Sequence, residues 1–170
     1  MSERTVTFQG NPLALAGTPV GVGDDAPDVE LLDNGLGAVK LSSLKGKVAV
    51  LLSVPSLDTP VCDTETRRFN TEAAALGDDV AVVAISADLP FAQARWCGGA
   101  GIENVQTLSD HKDTAFGQAY GVLLPALRLL TRAVFVVDQE GDIQYAEIVP
   151  EITNEPDYGA ALDAVRKLTS

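Results

Sequence analysis

"RAVFVVDQEGDIQYAEIV", residues 132–149, decides the fold. It reads as two strands, Arg132–Val137 and Ile143–Val149, joined by a turn around Gly141. Upstream of this hairpin the chain alternates strand and helix. "VAVLLSV", Val48–Val54, is a continuous apolar run of strand length, which fits a central strand covered on both faces. "VAVVAISAD", Val80–Asp88, and "NVQTLSD", Asn104–Asp110, repeat the pattern. Between these strands, "PVCDTETRRFNTEAAALG" reads as a helix that stops at Gly77. "LPFAQARWCGG" reads as a shorter helix, with Asp88 as its N-cap and Gly98-Gly99 as its terminator. "KDTAFGQAYG" forms a third helix, ending at Gly121, and the segment from there to Arg132 reads as a loop. "NEPDYGAALDAVRKLTS" closes the chain as a helix.

At the other end, "RTVTFQGNPLALAG" alternates around a Gly-Asn-Pro turn and reads as a β-hairpin. Two short strands follow, at Val29–Leu32 and Ala38–Leu41. The core order is therefore β-α-β-α-β-α-β-β-α, with extra strands before it. Parallel βαβ units lead, and an antiparallel hairpin and helix finish. That order suits a thioredoxin-like three-layer α/β sandwich with an N-terminal β-hairpin extension. A flavodoxin-like sheet would end on another strand–helix repeat. The chain shows no internal repeat, long linker or low-complexity tract, so residues 1–170 are expected to form one domain.

Composition excludes several classes of function. Hydrophobic residues make up 46% and charged residues 21%, the mixture of a globular protein. No apolar stretch is long enough to span a bilayer, and "MSERTVTFQG" shows no secretory pattern, so a cytoplasmic location is expected. Net charge is −12, with 12 basic residues scattered among 24 acidic ones. Nucleic acid and anionic membrane are unsuitable partners for such a surface. His111, the single histidine, lies in the polar turn "SDHKD" and reads as a surface residue. Trp96 reads as ordinary packing. Asp24-Asp25 and Asp78-Asp79 read as solvated turns, and no metal site is expected.

The two cysteines, Cys62 and Cys97, stand in opposite settings. With Thr59 as N-cap and Pro60 at the first helical position, Cys62 falls in the first turn of its helix, where free backbone N–H groups favour a negative sulfur. A helix terminus supplies about 0.3–1 kcal/mol. Bringing a thiol from about 8.5 to near 6 needs more than about 3 kcal/mol, so a working thiolate here requires a cation. Arg67 and Arg68 point away from Cys62 on the helix. Arg132 is the better candidate: if its strand runs antiparallel beside Val48–Val54, it starts where the Cys62 helix begins. Arg95 and Arg128 are its rivals. Cys97 lies at a helix end, where the dipole disfavours a thiolate. The asymmetry suits an attacking and a resolving cysteine. From the residues alone, a static disulfide and two unrelated buried thiols stand level with that reading.

The motifs narrow the choice. "PSLDTPVC", residues 55–62, follows the peroxiredoxin pattern Pro-x-x-x-Thr-x-x-Cys at a strand-to-helix junction. "SLDTPVCDTETRRFN", "ISADLPFAQARWCGGAGIENVQTLSD", "RAVFVVD", "EITNEPDYGAALDAV" and the hairpin "VTFQGNPLALAG" resemble the thiol peroxidase branch, the atypical 2-Cys peroxiredoxins. The resemblance implies a peroxidatic role for Cys62, which attacks the peroxide O–O bond and becomes a sulfenic acid. It implies a resolving role for Cys97, which closes an intramolecular disulfide. Thr59 matches the hydroxyl that orients peroxide and thiolate, Pro55 the proline that shields the pocket, and Arg132 the active-site arginine. Hydrogen peroxide and alkyl hydroperoxides are the implied substrates, thioredoxin the reductant and a homodimer the assembly, with no metal or other cofactor. Between Val122 and Arg132 the sequence departs from the branch: "LLPALRLLT" is shorter and more apolar than the usual Asp-Gly-Pro-containing loop.

Two rival readings remain beside the peroxidase. One is a thioredoxin-like partner-binding domain with a structural disulfide. The other is a disulfide oxidoreductase, weakened by the absence of a Cys-x-x-Cys pair. Cysteines on two intact helices are poorly placed to bond, since a disulfide needs Cα atoms within about 7 Å. The first turn at Cys62 and the helix end at Cys97 are therefore expected to unwind during turnover.

Overall fold

A computed structural model describes residues 4–102 and 104–169, with all their side chains except those of residues 73 and 74. The strands are β1 (Thr5–Phe8), β2 (Asn11–Ala14), β3 (Glu30–Leu32), β4 (Ala38–Lys40), β5 (Val48–Ser53), β6 (Val80–Ser86), β7 (Val105–Ser109), β8 (Leu123–Leu124), β9 (Leu129–Leu130), β10 (Ala133–Val137) and β11 (Ile143–Ile148). The helices are α1 (Pro60–Leu76), α2 (Pro90–Ala100), α3 (Ala115–Ala119) and α4 (Tyr158–Thr169).

A seven-stranded sheet runs in the order β11-β10-β5-β6-β7-β3-β4. β5, β6 and β7 are parallel, and β10 is antiparallel to both β5 and β11. β5 is buried at every position, as a strand covered on both faces must be. Its alternate side chains go to separate cores. Val48, Val50 and Leu52 pack with Phe69 of α1 and with Tyr158, Leu162 and Val165 of α4. Ala49 and Leu51 pack with Phe116 of α3, Tyr120 and Phe135 on the opposite face. The result is the thioredoxin-like sandwich expected from the element order, with β1–β2 as a separate hairpin.

Three local expectations need correction. The β1–β2 turn is Gln9-Gly10, both at positive φ, rather than Gly-Asn-Pro. Two consecutive left-handed residues suit a tight two-residue hairpin, and Pro12 sits in an exposed two-stranded ribbon that tolerates it. The segment before Arg132 is not plain loop: β8 and β9 form a small antiparallel pair that buries Leu124 and Leu130. Finally, Asp88 does not cap α2, and Gly98 and Gly99 do not end it. Leu89 occupies the N-cap with Pro90 after it, both glycines lie inside the helix, and left-handed Gly101 terminates it.

Candidate active site

The register of β10 against β5 sets the site. Ala133 pairs with Ser53, so Arg132 lies beside the end of β5, where the chain leaves the sheet for α1. Val54 and Pro55 are buried, and residues 56–59 form a short turn before the helix. Asp88 holds that turn. Its carboxylate accepts hydrogen bonds from Ser56 Oγ at 2.7 Å, Leu57 N at 2.8 Å and Ser86 Oγ at 2.7 Å. The residue expected to start α2 therefore fastens the entry to α1 onto β6.

Helix α1 starts as expected, with Thr59 extended at the N-cap and Pro60 following it. The Thr59 hydroxyl does not cap. It donates instead to the Ser56 carbonyl at 2.9 Å. Cys62 lies in the first turn and is fully buried against Val54, Leu57 and Trp96. Arg132, also buried, donates from Nη2 to Cys62 Sγ at 3.2 Å. The distant cation required by the weak helix dipole is thus in place. The rivals are elsewhere: Arg128 donates to the His111 carbonyl at 2.8 Å, and Arg95 lines an exposed cleft between α1 and α2.

Sequence reasoning missed Glu65. Its carboxylate is wholly buried and pairs with Arg132 Nη1 at 2.9 Å, while Arg132 Nε donates to the Ile152 carbonyl at 2.8 Å. One guanidinium is therefore shared by a sulfur and a carboxylate. Burial alone would lower the pKa of Arg132, but the negative charges of Cys62 and Glu65 outweigh it and raise it, so Arg132 stays cationic. Burial pushes Glu65 up to about 7, partly offset by Arg132. With its second oxygen unpartnered among the described residues, Glu65 can take up a proton and leave the cation to the sulfur.

A pH dependence follows. Glu65 has a folded-state pKa above its unfolded one, so its stabilising contribution is complete below about pH 4.5 and declines as pH rises through about 7. The loss approaches roughly 3 kcal/mol. Urea denaturation of the reduced protein across pH 5–8 is expected to show this decline and to lose it in Glu65→Gln. The same variant removes the carboxylate that shares the Arg132 guanidinium with Cys62, so alkylation of Cys62 at pH 8 is expected to quicken.

Pro55, Thr59 and Arg132 converge on one cleft. Its other walls include Phe8 from the β1–β2 hairpin, Val61 and Ile152, and it is predominantly apolar. The hairpin is fixed there by Glu151, whose carboxylate accepts from Thr7 Oγ1 and Gly10 N, both at 2.8 Å, and from Gln9 N at 3.1 Å. Hydrogen bonds, first those from Thr153, hold Glu151 well below the usual carboxylate range.

Cys97 is not in this cluster. Half-buried in the last turns of α2, its sulfur lies 3.5 Å from Thr107 Oγ1, on β7. Both cysteines are free thiols in this structure. Trp96 does more than pack: its indole N–H donates to Asp63 Oδ1 at 2.8 Å. His111 is exposed, as expected. Among the described residues no cluster of three or more His, Cys, Asp or Glu could hold a metal, and no helix is long and apolar enough to cross a membrane.

A buried thiol at the mouth of a helix, bonded to an arginine and set behind a small cleft, defines a thioredoxin-like protein built for thiol chemistry. The Redoxin family model matches residues 21–162. The chain is 55% identical over 163 residues to the thiol peroxidase of Bacillus subtilis, covering 96% of this chain and 97% of the relative. It is 53% identical over 162 residues to the thiol peroxidase of Halalkalibacterium halodurans, covering 95% and 97%. In solved structures, a peroxiredoxin-like protein from Aquifex aeolicus aligns at TM-score 0.91 and 43% identity, covering 97% of each chain. The chain belongs to the redoxin family, within its thiol peroxidases, and is a thiol-dependent peroxidase.

Proposed function

We propose that this single-domain protein reduces hydrogen peroxide and alkyl hydroperoxides through Cys62, with Cys97 as its resolving partner. The observation that carries the reading is the 3.2 Å bond from Arg132 to the buried Cys62 sulfur. The Cys62 thiolate attacks the nearer peroxide oxygen. The O–O bond breaks, sulfur becomes a sulfenic acid, and the departing alkoxide or hydroxide leaves as alcohol or water after taking a proton. Arg132 stabilises the thiolate and the charge that moves onto the leaving oxygen. The Thr59 hydroxyl donates its hydrogen bond to the Ser56 carbonyl, so its lone pairs are free to accept from the hydroperoxide O–H. Buried Pro55 keeps bulk water from the sulfur. The apolar walls at Phe8, Val61 and Ile152 suit an alkyl tail.

Cys97 then attacks the Cys62 sulfur. A sulfur–sulfur bond forms, the S–O bond breaks, and water leaves. Thioredoxin reduces the disulfide by thiol exchange: its dithiol supplies the electron pair and two protons, the two cysteines return to thiols, and thioredoxin leaves as a disulfide. No step uses a metal or other cofactor. The working form is a cytoplasmic homodimer.

The reading is tested by following hydroperoxide consumption with thioredoxin, its reductase and a nicotinamide donor. Wild type is expected to turn over continuously. Cys97→Ser is expected to consume one equivalent and then stall as a sulfenic acid or as a dimer linked through Cys62. Undiminished coupled turnover by Cys97→Ser would remove Cys97 from the cycle.

A further inference from the structure

We infer that Asp63, Arg67 and Trp96 form a lock between the two cysteine-bearing helices, and that opening this lock limits formation of the Cys62–Cys97 disulfide. The inference rests on the resolving role proposed for Cys97. Asp63 follows Cys62 in α1, and Trp96 precedes Cys97 in α2. The Trp96 indole donates to Asp63 Oδ1 at 2.8 Å, and Arg67 Nε donates to both Asp63 oxygens, at 2.9 and 3.0 Å. The Arg67 guanidinium lies 5.9 Å from the centre of the Trp96 ring, and its Nη1 reaches the Ala100 carbonyl at 3.5 Å. One carboxylate thus joins the first turn of α1 to the last turns of α2.

Among the described residues, few other side-chain contacts hold that part of α2; just beyond it Ile102 packs on the core and donates its N–H to the Cys97 carbonyl at 3.1 Å. The buried residues of α2, Pro90 and Gln93, both lie in the first half. Gly98 and Gly99 have open space where a Cβ would stand, and glycine inside a helix weakens it. Without the lock, the stretch carrying Cys97 keeps the Trp96 ring against Val54, Leu57 and Cys62, and the contact of Cys97 with Thr107. Cys62 and Cys97 must both leave their helices to bond, and the same three side chains oppose both departures. A sulfenic acid held behind the closed lock has two fates. Attack by Cys97 gives the disulfide and water. Attack on a second hydroperoxide gives sulfinic acid and an alcohol, which removes the enzyme from the cycle. Asp63, Arg67 and Trp96 are positioning residues that set the division between the two.

The test compares wild type, Trp96→Phe and Arg67→Ala. Trp96→Phe keeps an aromatic ring but loses the N–H; Arg67→Ala keeps the indole and loses the bridge. Quenched-flow mass spectrometry separates oxidation of Cys62 from closure of the disulfide. In both variants oxidation is expected within about twofold of wild type, while disulfide closure quickens about fivefold, the effect of one lost hydrogen bond on a local opening. The hydroperoxide concentration that half-inactivates the enzyme is expected to rise by the same factor. Unchanged or slower closure in both variants would overturn the lock while leaving the resolving role of Cys97 intact. A wild type that forms no Cys62–Cys97 disulfide would instead overturn the resolving role on which the lock rests.

Discussion

Cys62→Ser is expected to reduce peroxide turnover by roughly 10⁴-fold or more, to the level of uncatalysed chemistry, as removal of a nucleophile does. A hydroxyl at this position has no accessible anion near neutral pH and is a poor nucleophile toward peroxide oxygen. The substitution changes little volume, and oxygen can accept the Arg132 hydrogen bond as sulfur does. Near-UV circular dichroism and thermal melting are therefore expected to stay close to those of wild type. Loss of activity together with loss of fold would leave the effect assigned to packing; loss of activity in a folded protein assigns it to the sulfur. Retained turnover would require another nucleophile.

The second large effect is expected from Arg132→Met. Methionine fills similar space and carries no charge. Turnover at pH 7 is expected to fall by about 10²–10³-fold, the usual result of removing one preorganised donor from developing charge. Alkylation of Cys62 at pH 7 should slow, because the sulfur has lost its hydrogen-bonded cation. Stability should change with a particular sign. Without Arg132, Glu65 is buried without its partner and holds its proton to still higher pH. The variant should be nearest to wild type in acid and should lose ground as pH rises through and beyond 7. A uniform loss at all pH values would show that the Arg132–Glu65 pair contributes only packing.

The fold was legible where the chain is periodic. β5 announces itself as a continuous apolar run, and the hairpin at β10–β11 distinguishes this sheet from one that keeps alternating. Arg132 was legible for the same reason: the antiparallel register places the residue before β10 beside the end of β5. β8 and β9 escaped notice because two residues carry no period. Asp88 was misread because an acidic residue before Leu-Pro looks like a cap, while its bonds to the Ser56–Leu57 turn come from residues about thirty positions away.

Glu65 shows the limit more sharply. Cys62, Glu65 and Phe69 stand at i, i+3 and i+7, a spacing that puts all three on the inner face of α1, and all three are buried. The signal was present, but a carboxylate at such a position reads as solvated until its cation is known to arrive from another strand. The link between Asp63 and Trp96 lay beyond reach for a similar reason. Each residue sits on its own helix, and only the packing of α1 against α2 brings indole and carboxylate to 2.8 Å. Thr59 was partly legible: its place at the helix start is as expected, and its hydroxyl turns to Ser56 rather than to the helix.

Cys62 and Cys97 are proposed to form one catalytic couple, although the folded structure holds them apart as free thiols. The most direct test is to treat the fully reduced protein with one equivalent of hydroperoxide, without reductant, and to map its peptides by mass spectrometry under non-reducing conditions. A single cross-link within one chain is expected, joining the peptides that contain Cys62 and Cys97, with the loss of two hydrogen atoms. A peptide map in which Cys62 remains a thiol, or in which it is oxidised without ever linking to Cys97, would contradict it.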